Sequence, residues 1–334
     1  MKPYMATVVG SFPRNANLAD TMKRPSMSQE EIDDYIRWAV AEQVKLGLEI
    51  ITDGEGYREN MYYYYQKRVD GMSFENMVMR KYGETGSFAI ETARLVDELK
   101  NPRFMIAHNW SVARSAAPKN VRVKQTVTGP HLLARFTANE RPDLYPDDQA
   151  LARAWAKVLG QELQAVIDAG CDYIQFDEPG WTESPHQSEW GAEVLNELID
   201  SLGGKARIAL HVCGGNPRRK RVYFTKYTDL VPAFRKVKID EVSLEHCTLS
   251  YNMMDLWKEW DFKGDLALGV IDQRSDDLED TETIRKRMEP ALKYFPPERL
   301  MLTSECGFGH VPLNITEAKL NALTTAADEF RKDE

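Results

Sequence analysis

Reactive side chains recur at the ends of short apolar segments along this chain. Ser11 follows Val-Val-Gly, Glu55 ends Thr-Asp-Gly-Glu, and Asp177 with Glu178 follows Ile-Gln-Phe. Farther along the chain come His211, Cys213, Glu245, Asp272, Arg274, Glu305 and Cys306. Carboxylates bind cations or move protons, whereas imidazole and thiolate together form a ligand set suited to zinc. These residue types predict a metal site beside a group of carboxylates.

The His-x-Cys pair at His211 and Cys213 is the core of the metal prediction. Residues two apart on a strand point to the same side, so both side chains can reach one ion. Glu245 and Cys306 end neighbouring strand candidates and can converge with the pair to complete a tetrahedral set. A buried cysteine beside a hydrogen-bonded histidine is the alternative explanation. The pair and its spacing leave both explanations open.

Eight short apolar segments alternate with longer helical patterns, and these elements must position the reactive residues. The predicted strands are 7–12, 49–53, 123–128, 173–177, 207–212, 241–245, 265–272 and 300–304. Helical patterns cover, among others, 30–46, 147–169, 187–202, 281–294 and 315–330. Most strands are continuous apolar runs, which is typical of parallel strands buried on both faces. Eight such units predict a (β/α)8 TIM barrel, an α/β fold with its active site at the carboxyl ends of the strands. An open doubly wound sheet is the rival fold, but it rarely needs eight units.

Residues 57–120 interrupt this alternation, because they are too long for one strand–helix connection. They contain four consecutive tyrosines, 62–65. We expect an insertion after the second strand that packs over the mouth of a single catalytic barrel spanning 1–334. An extra helical layer without chemistry is the alternative.

Composition excludes several classes of function. The 334 residues include 43 Lys and Arg against 52 Asp and Glu, a formal net charge of −9. This balance argues against nucleic-acid and membrane partners, which need a basic face. No apolar run reaches the about 18 residues of a membrane span, and no secretory signal pattern is present, so a cytoplasmic location is expected. The four scattered cysteines do not form the disulfide framework of a small secreted protein.

Six motifs, taken in order, resemble the cobalamin-independent methionine synthase family, in particular the zinc-bearing barrel of its long form and the short single-barrel relatives. They are Val-Gly-Ser-Phe-Pro-Arg at 9–14, Asp-Gly-Glu at 53–55, Phe-Asp-Glu-Pro at 176–179, His-Val-Cys at 211–213, Glu245, and Glu-Cys-Gly at 305–307. The resemblance covers nearly the whole chain. It implies a zinc-dependent methyltransferase that moves a methyl group to the thiol of homocysteine and gives methionine.

The resemblance also implies a role for each matching residue. The zinc ligands would be His211, Cys213, Glu245 and Cys306, with Glu245 giving way to the substrate sulfur. Zinc presents a bound thiol as its thiolate, which is otherwise a minor form at neutral pH. The substrate-binding residues would be Ser11, Glu55 and Asp177. The two carboxylates would pair with the ammonium group, while backbone amides near Ser11 would receive the carboxylate.

The chain departs from the family after the seventh predicted strand. The long form has a histidine there that is thought to act as an acid, whereas this chain has Ile-Asp-Gln-Arg-Ser at 271–275. Arg274 stays charged and cannot donate a proton, but it can neutralise an anion on donor or substrate. A salt bridge to a nearby carboxylate is the alternative role. Asp272 and Arg274 are therefore the candidate catalytic pair, with Asp272 and Glu305 as groups that orient a ligand or substrate.

The methyl donor and the thiol leave alternatives open. The half of the long enzyme that helps to hold polyglutamylated folate has no counterpart here. The donor partner is therefore methyltetrahydrofolate, a methylcorrinoid carried by a partner protein, or a small methylated compound. The alternative functions are transfer to a coenzyme M-type thiol, transfer from another alkyl donor, and non-catalytic binding of zinc or of a corrinoid partner by the barrel. A basic run at 217–221 follows the metal strand and is either an anion-binding loop or a solvated one.

Overall fold

The computed structural model describes residues 2–15, 27–82, 86 and 88–333. Its strands are β1 (Ile50–Ile51), β2 (Asp70–Tyr82), β3 (Phe88–Lys100), β4 (Arg122–Val123), β5 (Gln125–Thr128), β6 (Ala138–Asn139), β7 (Tyr173–Asp177), β8 (Arg207–Val212), β9 (Glu241–Glu245), β10 (Asp265–Ile271) and β11 (Leu300–Ser304). Its α-helices are α1 (Gln29–Lys45), α2 (Tyr63–Gln66), α3 (Ile106–Ala116), α4 (Pro130–Arg135), α5 (Asp148–Asp168), α6 (Gly180–Glu183), α7 (Ser188–Ser201), α8 (Val231–Lys236), α9 (Leu256–Glu259), α10 (Thr281–Met288) and α11 (Leu313–Phe330).

Parallel pairing closes the strands into a ring. Strands β5, β7, β8, β9, β10 and β11 pair in that order, and β1 pairs with β4, which is separated from β5 by one residue. Ala6 bridges Leu302 of β11, and Thr7 bridges Ile50 of β1. The segment 6–7 thus takes the place of a barrel strand between β11 and β1. The predicted (β/α)8 barrel is confirmed, since consecutive parallel strands with helices between them return to the start.

The first predicted strand is much shorter than the expected range 7–12, because its backbone leaves the ladder beyond Thr7. There it turns toward the second strand, where the Phe12 N–H donates to the Gly54 carbonyl at 2.9 Å. This early exit brings Gly10 and Ser11 to the carboxyl end of the barrel. The second predicted strand is likewise reduced to β1, so the segment holding Glu55 is loop.

The outer helices begin and end where local chemistry predicts. Ser28 and Glu31 form a reciprocal capping box at the start of α1. Gly47 and Gly170 follow α1 and α5 with φ of +79° and +102°, a left-handed backbone that glycine adopts without strain. No helix in the described ranges combines the length and apolar character that a membrane crossing requires.

Within residues 57–120 the described elements are the strands β2 and β3, of 13 residues each, and the helices α2 and α3, of 4 and 11 residues. Strands β2 and β3 form a long antiparallel hairpin, and β6 extends it in parallel. Much of β2 is exposed or half-buried, which explains why its sequence lacks the apolar run of a barrel strand. Helix α3 at the end of this range packs against α1 and α5, as one of the outer barrel helices. The additional structure therefore lies mainly in the hairpin and in the tyrosine segment before it.

Candidate metal centre

Three predicted ligands meet at the carboxyl end of the barrel. His211 and Cys213 lie at the end of β8, and Cys306 lies just beyond β11. Ligand atoms of the three residues all lie within 4.8 Å of one another. The two sulfur atoms are 3.8 Å apart. His211 and Cys213 are only 3% and 2% exposed, whereas Cys306 is partly exposed.

The chemistry of this group fits a zinc ion. A disulfide would need a sulfur–sulfur distance of about 2.05 Å, far shorter than the one observed. Two sulfurs bound tetrahedrally to one zinc at about 2.3 Å lie about 3.8 Å apart, which matches Cys213 and Cys306. Both ring nitrogens of His211 are buried without a hydrogen-bond partner within the described part of the chain. A buried imidazole without partners is costly unless it serves as a ligand.

The two thiols titrate very differently. The hydrogen bond from Cys213 holds the pKa of Cys306 well below its ordinary value, helped by His211 and Arg274. The same hydrogen bond, together with burial, raises the pKa of the Cys213 thiol. The pair therefore already favours one thiolate, at Cys306. A metal ligand set requires deprotonated sulfur, and this arrangement supplies the first one.

The structure does not bring Glu245 into the three-residue group. Its side chain is fully buried at the end of β9, and Gly214 N–H donates to its Oε2 at 2.8 Å. Arg221 also donates to Oε2, and Arg274 donates to Oε1. The expected convergence with the histidine and cysteines is therefore not observed. The carboxylate lies instead among N–H donors of two loops, which strand spacing alone does not reveal.

Arg274 and Asp272 adopt different roles in the same turn. Arg274 donates to Glu305 at 2.9 Å and to the Gly215 carbonyl at 3.0 Å, besides its pair with Glu245. The Asp272 carboxylate accepts the backbone N–H of Arg274 at 2.8 Å. Asp272 thus shapes the turn that directs Arg274 toward the cysteines, where the charge of the guanidinium adds to the effects of Cys213 and His211 that lower the pKa of Cys306.

Glu305 is held in the same network. It is fully buried, and its carboxylate accepts the backbone N–H groups of His246 at 3.0 Å and Thr248 at 2.8 Å. It also pairs with Arg274. The carboxylate therefore ties the loop after β9 to the turn after β10, directly before Cys306 in the chain.

Glu55 and Asp177 form the carboxylate side of the site. Glu55 has φ of +55°, lies against Gly10, and accepts a hydrogen bond from the Thr126 hydroxyl. Asp177 lies opposite His211 in the parallel register of β7 and β8, so the two residues are neighbours at the strand ends. Burial, followed by the charge of Glu55, raises the pKa of Asp177 to about 7, although His211 opposes this shift.

Ser11 stands beside the loop that carries Cys306. Its Oγ accepts the Gly309 N–H at 3.2 Å, and its carbonyl accepts the Phe308 N–H at 2.8 Å. A Cβ atom on Gly307 would overlap Ser11 Oγ, so the close approach needs glycine there. The expected substrate-binding residues thus lie at the same end of the barrel as the metal group.

Glu178, although adjacent to Asp177, has a structural role. Its carboxylate accepts the N–H groups of His131 and Leu132, both at 3.0 Å, at the start of α4. Gly129 leaves room for it, since a Cβ there would overlap the carboxylate. Successive strand residues face opposite ways, which explains why only one of the two acids reaches the site.

Sequence reasoning missed several residues that complete the site. Arg58 is 4% exposed, and its guanidinium lies 3.6 Å from Glu55 and 2.9 Å from the Thr126 carbonyl. Gln175 donates to Asp177 at 2.8 Å and accepts from the buried Lys124 at 2.6 Å. Because Gln175 and Asp177 are two residues apart on one strand, the sequence already indicates that their side chains lie on the same side. Arg58 lay in the segment assigned to the insertion and carried no comparable signal.

Comparison with known proteins identifies the family of the chain. The profile of the family described as "Cobalamin-independent synthase, Catalytic domain" matches residues 4–329. The protein named methionine synthase from Saccharolobus solfataricus is 26% identical over 98% of this chain and 95% of its own length. The corresponding protein from Sulfolobus acidocaldarius is 29% identical over 94% and 88%.

Two solved structures share the fold. A B12-independent methionine synthase from Shewanella sp. W3-18-1, in complex with selenomethionine, has a TM-score of 0.86 at 24% identity and covers 99% of this chain and 98% of its own. A putative vitamin-B12 independent methionine synthase from Listeria monocytogenes has a TM-score of 0.77 at 22% identity, with coverage of 99% and 98%. With the profile match over nearly the whole chain, the resemblance seen in the motifs is confirmed: the chain belongs to the cobalamin-independent synthase catalytic-domain family and is a methyltransferase.

Proposed function

We propose that this protein is a zinc-dependent methyltransferase that transfers a methyl group to the thiol of homocysteine and releases methionine. The observation that carries the proposal is the clustering of His211, Cys213 and Cys306 beside the carboxylates of Glu55 and Asp177. The relatives named methionine synthase, 26% and 29% identical, support the same reaction.

The three clustered residues would hold the zinc. When bound, zinc would supply the Lewis acidity that lowers the pKa of the substrate thiol from about 8.5, so that a thiolate is available at neutral pH. Cys306, whose pKa is already depressed, would contribute the first thiolate, and Cys213 would lose its proton on metal binding. Burial of His211 and Cys213 would limit the access of water, which would otherwise compete with the substrate sulfur.

Recognition of the amino-acid part would fall to the residues around the metal group. Glu55 and Asp177 would pair with the substrate ammonium, and Asp177 would gain its full charge when that cation arrives. Ser11 and the backbone amides of the 307–309 loop would receive the substrate carboxylate. Two carboxylates suit an ammonium group, whereas a sulfonate thiol such as coenzyme M offers no cation for them. The substrate is therefore an amino-acid thiol.

Arg274 is proposed as the residue that neutralises negative charge on the donor or substrate, and Asp272 as the residue that sets its turn. A guanidinium keeps its charge at neutral pH, so Arg274 does not donate the proton that the leaving group needs. The proton source is then solvent or the donor itself. The 2.8 Å hydrogen bond from Arg274 N–H to Asp272 supports the positioning role.

Residues 57–120 are proposed to cover the mouth of a single catalytic barrel spanning 1–334. The Thr128 N–H at the end of β5 donates to the Tyr65 hydroxyl at 3.3 Å, and Tyr62 stacks on Phe136 with ring centroids 4.7 Å apart. Both contacts lie on the side of the barrel that carries the site. A site built on unpaired thiols also suits a reducing compartment, so we propose the cytoplasm.

In the test, the zinc-loaded protein is incubated with homocysteine and methyltetrahydrofolate, and in a parallel reaction with homocysteine and methylcobalamin. Methionine is measured by mass spectrometry in both. Methionine from one donor, lost in Cys306→Ser, is the expected result. Methionine from neither donor would reject homocysteine methylation from these donors. The same assay repeated with coenzyme M and with other alkyl donors would then identify another thiol alkyltransferase. No transfer to any thiol would leave a non-catalytic zinc or corrinoid-partner barrel.

A further inference from the structure

Arg58 is a buried cation on the carboxylate side of the site. Its side chain is 4% exposed, against 14% for Glu55. The guanidinium lies 3.6 Å from Glu55 Oε2 and 4.0 Å from Asp53 Oδ2. A buried charge is stable only when it is paired, so Arg58 and these two acids depend on one another. The position of Arg58 is therefore tied to the acid that the proposed function assigns to the substrate.

The backbone directs Arg58 toward Glu55. The Arg58 N–H donates to the Glu55 carbonyl at 2.9 Å, so the two residues close a turn. Glu55 has φ of +55°, and its own N–H donates to Asp53 Oδ1 at 3.0 Å. Arg14 donates to the carbonyls of Gly56 at 2.8 Å and Arg58 at 2.9 Å. The side chains of Asp53 and Arg14 thus hold the turn, which fixes where the Arg58 side chain begins.

Contacts along the side chain fix the guanidinium itself. Its carbon lies 5.8 Å and 5.6 Å from the ring centroids of Tyr57 and Tyr64, within the range of cation–π attraction. Its Nη2 donates to the Thr126 carbonyl at 2.9 Å, and the Thr126 hydroxyl donates to Glu55 Oε1. Arg58 and Glu55 therefore share one residue of β5, and the arginine holds the residue that holds the acid.

The two oxygens of Glu55 have different surroundings. Oε1 accepts the Thr126 hydroxyl, whereas Oε2 accepts no hydrogen bond from any residue that the structure describes. The 3.6 Å from Oε2 to the guanidinium is beyond hydrogen-bond distance. Coulomb attraction falls only slowly with distance, so Arg58 compensates the charge of the carboxylate and leaves this oxygen free. An ammonium group can donate to Oε2 without displacing a protein donor.

From these contacts we infer that Arg58 is a positioning residue that makes the site selective for thiols carrying an ammonium group. It keeps Glu55 ionised, with Oε2 free for the ammonium. Without the arginine, Glu55 would be a poorly compensated charge near Asp53 and Asp177, and it would turn toward solvent or lose its charge. The substrate would lose its ammonium contact but keep those of its sulfur and carboxylate. This inference rests on the proposed function and names a residue that selects its substrate class.

Binding of two thiols to the zinc-loaded protein, measured by isothermal titration calorimetry, tests the inference without a methyl donor. Homocysteine carries the ammonium group, whereas 4-mercaptobutanoate has hydrogen in its place and keeps the thiol and the carboxylate. The selectivity is the dissociation constant of 4-mercaptobutanoate divided by that of homocysteine. Arg58→Gln should lower this selectivity at least about tenfold by weakening homocysteine binding alone, because a hydrogen bond between charged groups is lost. Arg58→Lys keeps the charge but not the fork of donors, and it should select clearly better than Arg58→Gln.

The matched control is Arg68→Gln. Arg68 lies 4.2 Å from the Tyr64 ring centroid in the same segment, but it pairs with Glu59. Its selectivity should equal that of the wild type. Wild-type selectivity in Arg58→Gln would overturn the inference. Equal weakening of both thiols would overturn it too, since Arg58 would then support only the fold, and so would a lysine variant that selects no better than the glutamine variant.

The double variant Arg58→Gln with Asp53→Asn removes one charge of each sign, so it serves where the single variant does not fold. Its selectivity should also fall at least about tenfold, whereas Asp53→Asn alone should keep the wild-type value. A wild-type value in the double variant would overturn the inference. Wild-type protein that binds both thiols equally would reject the proposed ammonium recognition together with this inference. Wild-type selectivity that persists without Arg58 would reject the role of Arg58 alone, so the two failures are distinguishable.

Discussion

Gly10→Ala tests the substrate-binding role of Glu55 without touching a proposed ligand. A Cβ atom on Gly10 would fall about 1 Å short of ordinary van der Waals separation from Glu55 Oε1. Its next neighbours are Glu55 Cδ at 3.2 Å and Thr126 Cγ2 at 3.4 Å, so the conflict is confined mainly to one movable carboxylate. Gly10 does not have the positive φ that would disfavour alanine. The fold should therefore persist while Glu55 shifts.

A misplacement of about 1 Å in a group that positions the substrate can cost about 100-fold in activity. We therefore expect Gly10→Ala to lower kcat/KM for homocysteine by about that factor, mainly through KM, since the lost contact serves binding. Zinc affinity should not change, because the three atoms nearest to the new Cβ belong to Glu55 and Thr126 and not to any of the three ligands. Steady-state kinetics over a range of homocysteine concentrations, with zinc content measured on the same samples, provide the readout.

Two controls make this prediction sharp. Gly160→Ala lies within α5, where the nearest atom to a new Cβ is Leu198 Cδ1 at 3.3 Å, and it should leave kcat/KM unchanged. Glu55→Asp shortens the side chain, so its effect combined with Gly10→Ala should be less than additive. Wild-type kcat/KM in a zinc-loaded Gly10→Ala protein would refute the assigned role of Glu55. Fully additive effects would show that Gly10 and Glu55 act independently.

Three further predictions concern the metal ligands and the adjacent acids. Cys213→Ser and Cys306→Ser should each weaken zinc binding by about 100-fold or more, as measured by chelator competition. Because burial raises the pKa of Asp177 to about 7, the folded chain retains a proton that the unfolded chain has lost, so stability falls as pH rises from about 4 to 7. In chelator-treated protein, Asp177→Asn should reduce the fall in the free energy of unfolding between pH 5 and 8 by about 2 kcal/mol, as measured by urea unfolding. The same variant should raise the KM for homocysteine. Glu178→Ala should lower the free energy of unfolding by about 3 kcal/mol, because two helix N–H groups lose a charged acceptor, while the KM of the remaining folded enzyme stays unchanged.

Each of these has a contradicting outcome. Full zinc retention in both serine variants would reject the metal site. A wild-type pH profile of stability in Asp177→Asn would show that burial does not perturb this carboxyl as argued. A raised KM with unchanged stability in Glu178→Ala would reverse the roles of the two adjacent acids.

The metal group was predictable because it depends on local rules. His211 and Cys213 share a side by the period of the strand, and parallel strands bring Cys306 to the same edge. Glu245 obeys the same rules, yet its carboxylate is taken by Arg221 and Arg274 from two loops. Which partner a buried acid selects depends on loop conformation, and strand periodicity carries no information about that.

The fold shows the same division. Buried barrel strands such as β8 have continuous apolar sequences and were predicted closely. The β2–β3 hairpin was not, because β2 is mostly exposed or half-buried and its sequence carries no continuous apolar run. The capping box at Ser28 was readable because it joins residues three apart. Contacts between residues close in the sequence were thus predictable, whereas the hairpin and the loop conformations were not.

The central claim is that the substrate thiol is activated at the His211, Cys213 and Cys306 centre. Zinc K-edge X-ray absorption of the wild-type protein, with and without homocysteine, tests it most directly and requires no methyl donor. Homoserine, which carries a hydroxyl in place of the thiol, is the matched control. We predict two sulfur neighbours at about 2.3 Å in the zinc protein and in the homoserine sample, and three after homocysteine is added. A sulfur count that stays at two under saturating homocysteine would contradict the account.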